Sequence, residues 1–302
     1  MQNTSQLLMI RPVSFGFNAE TAVNNSFQHI PAGDVQQKAL AEFLGLAALL
    51  QQNNVGLTVV DDRSEPHTPD SVFPNNWFST DEDGRLFLYP MFAPNRRLER
   101  EAHVLDAIRD KFTVHEIADL SAYENRGLYL EGTGSMVLDR VNRIAYACLS
   151  PRTSIEVLDE YCRRAGFRAV CFTATEPGGT SIYHTNVMMC VADRYAVVCL
   201  EAIPDADEKE SLEAALLASG KAIIEISTEQ LNCFAGNMLQ VLNVNGEVLL
   251  IMSDQAYGSL NAGQKNALAG YNRIVHACLD TIEAAGGGSA RCMLAEIFLE
   301  LK

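Results

Sequence analysis

Short apolar segments alternate with longer amphipathic segments along this chain of 302 residues. Runs rich in Val, Ile, Leu and Tyr predict β-strands. The predicted strands are residues 6–10, 55–60, 86–89, 136–138, 144–147, 169–172, 187–191, 196–200, 222–226, 239–244 and 248–252. Between them, apolar residues at helical spacing predict helices, and Asp34 and Asp205 are the expected N-caps of two of these. The predicted helices are residues 35–52, 98–111, 153–164, 208–218 and 262–284.

Many of the predicted strands come in adjacent pairs that a short turn divides. Such turns lie at residues 139–143, 192–195 and 245–247, so hairpins alternate with helices. A doubly wound sheet would instead show single strands between helices. A unit of strand, strand, helix and strand, repeated about five times, would fit the length of the chain. The units share no evident sequence identity, so this interpretation depends on pattern alone.

The composition is that of a soluble globular protein. With 48% hydrophobic residues the chain can bury a large core, and no Pro/Ser-rich linker divides it. We therefore expect a single domain over residues 1–302. The net charge of −15 argues against nucleic acid as a partner, because neutralising phosphates takes clustered Lys and Arg. It does not forbid an anionic small substrate, provided that a few arginines converge in the site.

The eight cysteines are scattered, with no Cys-x-x-Cys pair and no Cys/His cluster at zinc spacing. We therefore expect no structural metal. Most of them stand in apolar surroundings, where cysteine acts as a small core residue. The first residues lack a basic segment followed by a cleavable apolar one, and no apolar run approaches membrane-spanning length. These features predict a reduced cytoplasmic protein with no membrane partner.

Cys292 is the first candidate for chemistry. It follows the glycine run 286–288 and Arg291, and it leads into a short apolar tail. A thiol presented on a flexible entry loop suggests nucleophilic catalysis, although a free cysteine taken alone is more often a buried structural thiol. The glycine run follows a predicted helix rather than a strand, so it is neither a dinucleotide fingerprint nor a Walker loop.

Three further segments could carry chemistry. His184 directly precedes an apolar strand, where a general base could be aimed into a cleft, although a hydrogen-bonding role at the strand end is as common. Glu131 opens the turn Glu-Gly-Thr-Gly-Ser, whose glycines permit close approach of the backbone, but it could be an ordinary turn carboxylate. Trp77, the single tryptophan, follows Asn75 and Asn76 in a loop that could equally be a plain aromatic anchor.

Taken together and in this order, these segments resemble the guanidino-group-modifying enzymes: arginine deiminase, dimethylarginine dimethylaminohydrolase and the amidinotransferases. The resemblance covers nearly the whole chain. The matching segments are 72–76 (substrate loop), 93–97 (Ala-Pro-Ser-Arg-Arg), 131–132 (Glu-Gly-Gly-Asp), 149–153 (Leu-Ser-x-Arg-Thr), 184–186 (His-x-Asp) and Cys292 (C-terminal nucleophile). The resemblance implies an α/β propeller of five ββαβ blades around a pseudo-fivefold axis, which agrees with the strand pairs. It implies no cofactor and no metal.

The resemblance also implies roles for individual residues. Cys292 would attack the central carbon of the substrate's head group, and His184 would protonate the leaving amine and later activate water. Glu131 would orient the head group or His184. Arg152 and Arg97 would hold the substrate carboxylate, a task that suits a planar bidentate donor.

Two departures from the family pattern bear on the substrate. Where deiminases carry carboxylates, this chain has the amides Asn76 and Asn186. Losing both should cost affinity for a guanidinium, whereas an amide can donate to a carbonyl and accept from an N–H, which suits a neutral ureido group. We therefore expect hydrolysis of citrulline, or a close ureido amino acid, to ornithine, ammonia and carbon dioxide. Segments 9–12, 24–27 and 73–77 are also similar to the citrulline-utilising hydrolases of this superfamily.

Other functions stay open at this point. An Asn-lined site could belong to an arginine dihydrolase, which removes two ammonias in succession, or to a simple arginine deiminase, and an acylated or methylated substrate is a further alternative. A non-catalytic binding module is the alternative from another class, but it would lack the nucleophile, the histidine and the glutamate. The sequence does not decide whether Asn24, Asp70 or Asn237 contacts the small-molecule substrate. It also does not decide the oligomeric state, although a homo-oligomer is common for soluble enzymes.

Overall fold

The computed structural model describes residues 1–30 and 32–302. The described residues form fifteen short strands, a set of α-helices and a few 3₁₀ turns. The strands are β1 (Gln6–Arg11), β2 (Gly56–Asp61), β3 (Phe78–Thr80), β4 (Arg85–Leu88), β5 (Glu116–Asp119), β6 (Val137–Asp139), β7 (Ile144–Cys148), β8 (Arg168–Phe172), β9 (Met189–Val191), β10 (Tyr195–Val198), β11 (Ala222–Glu225), β12 (Leu239–Leu242), β13 (Val248–Ser253), β14 (Arg273–Ala277) and β15 (Ala295–Glu296). The helices are α1 (Ala19–Ala22), α2 (Val35–Gln52), α3 (Pro94–Arg97), α4 (Ala102–Lys111), α5 (Gly132–Ser135), α6 (Ile155–Ala165), α7 (Thr185–Met188), α8 (Ala206–Ala218), α9 (Thr228–Asn232), α10 (Asp254–Ser259), α11 (Ala262–Ala269) and α12 (Asp280–Gly286).

The strands are grouped into five sheets of three. Four sheets are built the same way: an antiparallel hairpin is followed by a helix and a third strand that pairs in parallel with the second strand of the hairpin. These sheets are β3-β4-β5, β6-β7-β8, β9-β10-β11 and β12-β13-β14. The repetition confirms the predicted propeller of five ββαβ units, in which short connections force neighbouring strands to pair.

The remaining sheet joins the two ends of the described chain. Strand β1 pairs in parallel with β2 and antiparallel with β15, so that Leu8 lies opposite both Thr58 and Ala295. Strand β15 begins three residues after Cys292. The pairing therefore fixes the segment that carries the candidate nucleophile to the first strand of the fold.

The longer helices α2, α6 and α8 pack against the sheets through buried apolar residues. In α2, the Asp34 side chain accepts a hydrogen bond from the Gln37 N–H and caps the first turn. Phe43 and Leu50, spaced at helical intervals, are fully buried and pack with Leu7 of β1. This cluster extends to Cys292, so the segment that carries this residue lies against the hydrophobic core.

The predicted helix over residues 262–284 is wrong, because the structure divides it into α11, β14 and α12. Residues 270–272 end the first helix, and the β-branched residues Ile274 and Val275 form a strand that pairs in parallel with β13, Val275 lying opposite Ile251. Apolar residues in the strand happened to continue the helical spacing of the flanking helices. The strand is needed to complete the fifth sheet.

Smaller differences concern short elements. Strands β3, β5, β14 and β15 lie outside the predicted strands. The helix expected over residues 98–111 begins at Ala102, and the strand expected over residues 187–191 begins as the last turn of α7. Strands of two to five residues gain most of their stability from the neighbouring strand, which the local sequence pattern does not reveal.

Three features of the described ranges 1–30 and 32–302 concern membrane-spanning helices, metal-binding groups and the cysteines. In these ranges no helix combines the length and the apolar character that crossing a membrane requires. They contain no group of three or more His, Cys, Asp or Glu side chains placed to hold a metal ion. The eight cysteines are unpaired, and only Cys278 is exposed.

Gly236 allows the segment before β12 to approach α7 closely. A Cβ atom at this position would lie 2.3 Å from the carbonyl oxygen of Val187 and 2.6 Å from the carbonyl carbon of Met188. We expect Gly236→Ala to destabilise the protein by about 1–3 kcal/mol, as overpacking does. Gly258→Ala is the matched control, because Gly258 lies in α10 and a Cβ atom there would meet nothing within 4 Å. It should be neutral or stabilise by up to about 1 kcal/mol. Urea unfolding followed by the fluorescence of Trp77 measures both, and equal midpoints would contradict the close contact.

Candidate active site

Four of the seven predicted site residues line one narrow polar cavity: Cys292, His184, Asn76 and Arg152. The other residues that line it are Thr21, Asn25, Asp70, Phe73, Arg96, Tyr183 and the glycine run 286–288. Glu131 and Asn186 lie directly behind two of these residues, as described below, and Arg97 lies outside the cavity. The structure therefore assembles side chains that are more than 200 residues apart in the sequence.

The glycine run positions Cys292 by packing tightly rather than by flexibility. A Cβ atom on Gly286 would lie 2.7 Å from the ring of Phe73, and one on Gly287 would lie 2.5 Å from Nδ2 of Asn25. Gly287 has φ of +65°, a left-handed conformation that ends α12 and that other residues rarely adopt. Cys292 is only 3% exposed. The run is thus a packed turn that brings the thiol up to the cavity.

Two amide groups donate hydrogen bonds to the sulfur of Cys292. Nδ2 of Asn237 lies 3.2 Å from Sγ, and Nδ2 of Asn186 lies 3.4 Å from it. Asn186, expected to bind substrate, lies behind Cys292, where it lines a separate small cavity with Gln240 and Arg291. The sequence left the role of Asn237 open, because its segment Phe-Ala-Gly-Asn has the composition of an ordinary turn.

His184 and Glu131 form a buried pair. Nε2 of His184 lies 2.7 Å from Oε2 of Glu131, whose other oxygen accepts a hydrogen bond from the Phe92 N–H at 2.9 Å. Nη1 of Arg152 lies 3.5 Å from the same Oε2. Glu131 therefore contacts His184 directly, as one of the two roles expected for it requires.

The surroundings set the charges of this pair. Burial lowers the pKa of His184 to about 4, although the hydrogen bond to Glu131 acts in the opposite direction. Burial opposes ionisation of Glu131, but Arg152 and the hydrogen bond from His184 outweigh it and lower the pKa of this carboxyl. At neutral pH an ionised carboxylate therefore accepts the Nε2–H of a neutral imidazole. The tautomer leaves Nδ1 of His184 as a free proton acceptor.

Arg96 fixes the orientation of the Asn76 amide. Nη1 of Arg96 donates to Oδ1 of Asn76 at 2.8 Å, while Nε and Nη2 bind both oxygens of Glu99. Since a guanidinium can only donate, the oxygen of Asn76 must face it and the NH₂ group must face away. Nδ2 of Asn76 is buried without a hydrogen-bond partner. Gly134 leaves room for this nitrogen and for Nδ1 of His184 because it has no side chain. A Cβ atom there would lie 2.3 Å from Nδ2 of Asn76 and 2.8 Å from Nδ1 of His184.

Arg152 lines the cavity, whereas Arg97 does not. The Arg152 guanidinium is 2% exposed, donates to Oδ1 of Asn24 and to the carbonyl of Thr21, and lies 4.9 Å from the centre of the Tyr183 ring. Arg97 instead donates to the carbonyls of residues 91 and 92 at 3.0 and 3.1 Å. The predicted role of Arg97 therefore lacks support from the geometry, and its neighbour Arg96 turns inward because consecutive helical side chains point in different directions.

Asp70 adds a carboxylate to the cavity. Its Oδ2 accepts hydrogen bonds from Nδ2 of Asn18 at 2.8 Å and from the hydroxyl of Thr21 at 3.0 Å, and its Oδ1 has no partner. Burial raises the pKa of Asp70 despite the nearby Arg96. Asp70 is therefore a buried acceptor with a free oxygen, next to the loop that carries Asn76.

A five-bladed α/β propeller that gathers a cysteine, a histidine and a glutamate around one cavity defines the pentein superfamily of guanidino-group-modifying enzymes. The sequence matches the family described as N,N-dimethylarginine dimethylhydrolase, eukaryotic, over residues 11–299, and the chain belongs to this family. A search of curated protein sequences found no match.

Solved structures share the fold at low sequence identity. One is the N-terminal domain of ArgZ, an arginine dihydrolase of the cyanobacterial ornithine-ammonia cycle, solved as a cysteine-to-serine mutant bound to substrate. It matches this chain with a TM-score of 0.77 and 18% sequence identity, and the match covers 98% of each chain. This chain spans only 40% of full-length ArgZ, with a TM-score of 0.77 and 18% identity. DDAH from Pseudomonas aeruginosa, a cysteine-to-serine mutant complexed with citrulline, has a TM-score of 0.68 at 14% identity, covering 98% of this chain and all of that one.

His184 should stay neutral well below the ordinary range of histidine. Its folded-state pKa of about 4 lies below the usual 6.5, so the unfolded chain binds this proton first and folding stability falls as pH decreases between those values. NMR of ¹⁵N-histidine-labelled protein, with the His184 signals assigned by their loss in His184→Gln, should show a midpoint near 4. A midpoint at 6.5 or above would contradict the described environment.

Proposed function

We propose that the protein hydrolyses the ureido group of citrulline, or of a close ureido amino acid, to give ornithine, ammonia and carbon dioxide. The observation that carries the proposal is the orientation of Asn76. Arg96 holds its oxygen, so an unpartnered N–H donor faces the cavity beside His184.

A donor in this position discriminates between the two head groups. The carbonyl oxygen of a ureido group can accept a hydrogen bond from Nδ2 of Asn76, whereas a guanidinium has only donors. A guanidinium would leave the buried amide unpartnered, at a cost of about 1–3 kcal/mol. DDAH from Pseudomonas aeruginosa, which was solved in complex with citrulline, is a protein of the same fold that accommodates a ureido ligand.

The proposed reaction has two halves. In the first, Nδ1 of His184 takes the thiol proton, Sγ of Cys292 bonds to the ureido carbon, the bond from that carbon to the side-chain nitrogen breaks, and His184 protonates the leaving ornithine amine. This leaves a carbamoyl group on the sulfur. In the second, His184 removes a proton from water, the hydroxide attacks the carbamoyl carbon, and the C–S bond breaks. The released carbamic acid decomposes to ammonia and carbon dioxide, and the thiol is restored.

Two charged residues can hold the rest of the substrate. Arg152 is placed for the α-carboxylate, with Nη1 free apart from its long contact to Glu131. The unpartnered Oδ1 of Asp70 can accept from a substrate N–H, either of the α-ammonium or of the head group. In this proposal Asn186 acts on the nucleophile rather than on the substrate.

An arginine dihydrolase is the second candidate. The free oxygen of Asp70 is an acceptor that a guanidinium could use, and the chain covers 98% of the N-terminal domain of ArgZ, which is described as an arginine dihydrolase. The same cysteine would then remove two ammonias in succession. Simple deimination of arginine, and hydrolysis of a methylated arginine as the family description suggests, are further alternatives.

Product analysis separates these activities. Purified protein is incubated separately with citrulline, arginine and N,N-dimethylarginine, and ammonia, citrulline, ornithine and dimethylamine are followed over time. Ornithine from citrulline alone supports the proposal. Ornithine from both citrulline and arginine would favour the dihydrolase, accumulating citrulline from arginine would favour the deiminase, and dimethylamine would favour the family's described activity.

Cys292→Ala should abolish turnover of whichever substrate is used, because no other group in the cavity can form the covalent intermediate. The variant should stay folded, since the mutation removes only one sulfur from a packed segment. Circular dichroism and urea unfolding check the fold, and ornithine release checks activity. Retained turnover would show that Cys292 is not the nucleophile.

Asn76→Asp tests the basis of selectivity. One carboxylate oxygen can still accept from Arg96, but the other replaces the N–H that faces the cavity, so the variant should favour a guanidinium. A charge-assisted hydrogen bond contributes about 1.5–3 kcal/mol, so the ratio of kcat/KM for arginine over citrulline should rise about tenfold or more. Asn75→Asp is the matched control, because Asn75 is equally buried but donates to Thr133 away from the cavity. An unchanged ratio in Asn76→Asp would refute the argument from the amide.

A further inference from the structure

We propose that Asn237 is a catalytic residue which, together with Asn186, stabilises the thiolate of Cys292 through amide N–H donors. The inference rests on the proposed role of Cys292 as nucleophile. It is carried by the two contacts to Sγ, at 3.2 Å from Asn237 and 3.4 Å from Asn186.

The orientation of Asn237 is fixed by its other hydrogen bonds. Its Oδ1 accepts from the backbone N–H of Arg291 at 3.0 Å, and its Nδ2 also donates to the carbonyl of Asn186 at 2.8 Å. A flipped amide would place NH₂ against an N–H and oxygen against a carbonyl, so both flipped contacts would be repulsive. Asn237 is fully buried, which makes such mismatches costly. An N–H donor is therefore held permanently against the sulfur.

Asn186 has fewer restraints and one evident partner. Its Nδ2 donates to Sγ of Cys292, and its Oδ1 is buried without a hydrogen-bond partner. The side chain is 1% exposed. The nitrogen of this buried amide contacts the sulfur, whereas its oxygen has no partner. A function of Asn186 at the sulfur explains this arrangement most simply.

The charged groups around the nucleophile are engaged elsewhere. Arg291, which directly precedes Cys292 in the chain, donates to the Leu294 carbonyl and forms an ion pair with Glu296. Arg152 binds Asn24 and approaches Glu131, and His184 is neutral with Nε2 on the same carboxylate. Amide N–H donors thus supply the stabilisation that a nearby cation supplies in many reactive cysteines.

This arrangement matters most for a neutral substrate. A guanidinium brings its own positive charge towards the sulfur, whereas a ureido group does not. When the thiol proton moves to His184, the electron pair left on sulfur must be stabilised until the C–S bond forms. We therefore expect the loss of an amide donor to impair citrulline turnover more than arginine turnover.

Alkylation of Cys292 tests the role without substrate. The rate of modification by iodoacetamide is measured against pH, and mass spectrometry of the peptide containing Cys292 separates it from the other seven cysteines. In Asn237→Asp, an oxygen replaces the donor, so the midpoint of the alkylation curve should rise by at least about one pH unit, a tenfold change. The kcat for citrulline should fall at least about tenfold with little change in KM. Asn272→Asp is the control, because Asn272 is buried and bonded to Tyr195 and Gln240, away from the cavity.

A second variant covers the case in which Asn237→Asp does not fold. Asn186→Leu removes a donor whose oxygen has no partner to lose, so it should fold and also raise the midpoint. Unchanged alkylation curves in the folded variants would overturn the proposal and leave both residues as structural anchors. Raised midpoints in a protein that does not turn over citrulline would refute the proposed substrate while supporting the role of the amides.

Discussion

The arrangement of the active site depends on one buried carboxylate. Glu131 is completely shielded from solvent, so its negative charge is tolerable only because His184, Arg152 and the N–H of Phe92 surround it. Each of these partners belongs to a different segment of the chain. The carboxylate therefore keeps the proton of His184 on Nε2 and holds the Arg152 guanidinium nearby. The free Nδ1 of His184 and the position of Arg152 both result from the need to stabilise this buried charge.

A second buried charged residue, Arg96, restrains the loop that carries Asn76. Arg96 lines the cavity, but its guanidinium donates to Glu99, to Asn76 and to the Phe73 carbonyl. The arginine therefore acts by limiting what a neighbouring amide can offer. Selectivity between similar head groups can arise from such a fixed donor, without a charged residue in contact with the ligand.

Much of the architecture could be predicted from the sequence. The alternation of hairpins and helices is a local pattern, and it predicted the repeated unit. The motifs around His184 and Cys292 also indicated two side chains that the structure brings to one cavity, while their catalytic roles stay a prediction. What escaped prediction depends on tertiary pairing. Strand β14 is recognisable only by its partner β13, and the roles of Arg96 and Asn237 follow from helix phase and from a contact between segments 55 residues apart. The proposal of a single domain and the substrate itself remain predictions.

The pairing of β15 with β1 also has a consequence for the order in which the cavity is completed. Cys292 lies on the connection into β15, and that strand finds its partner only at residues 7 and 8 of the chain. During synthesis, the blades that contain Glu131 and His184 leave the ribosome well before the thiol does. The cavity therefore receives its thiol after its histidine, and the segment that carries Cys292 is held in place only once β15 has paired with β1.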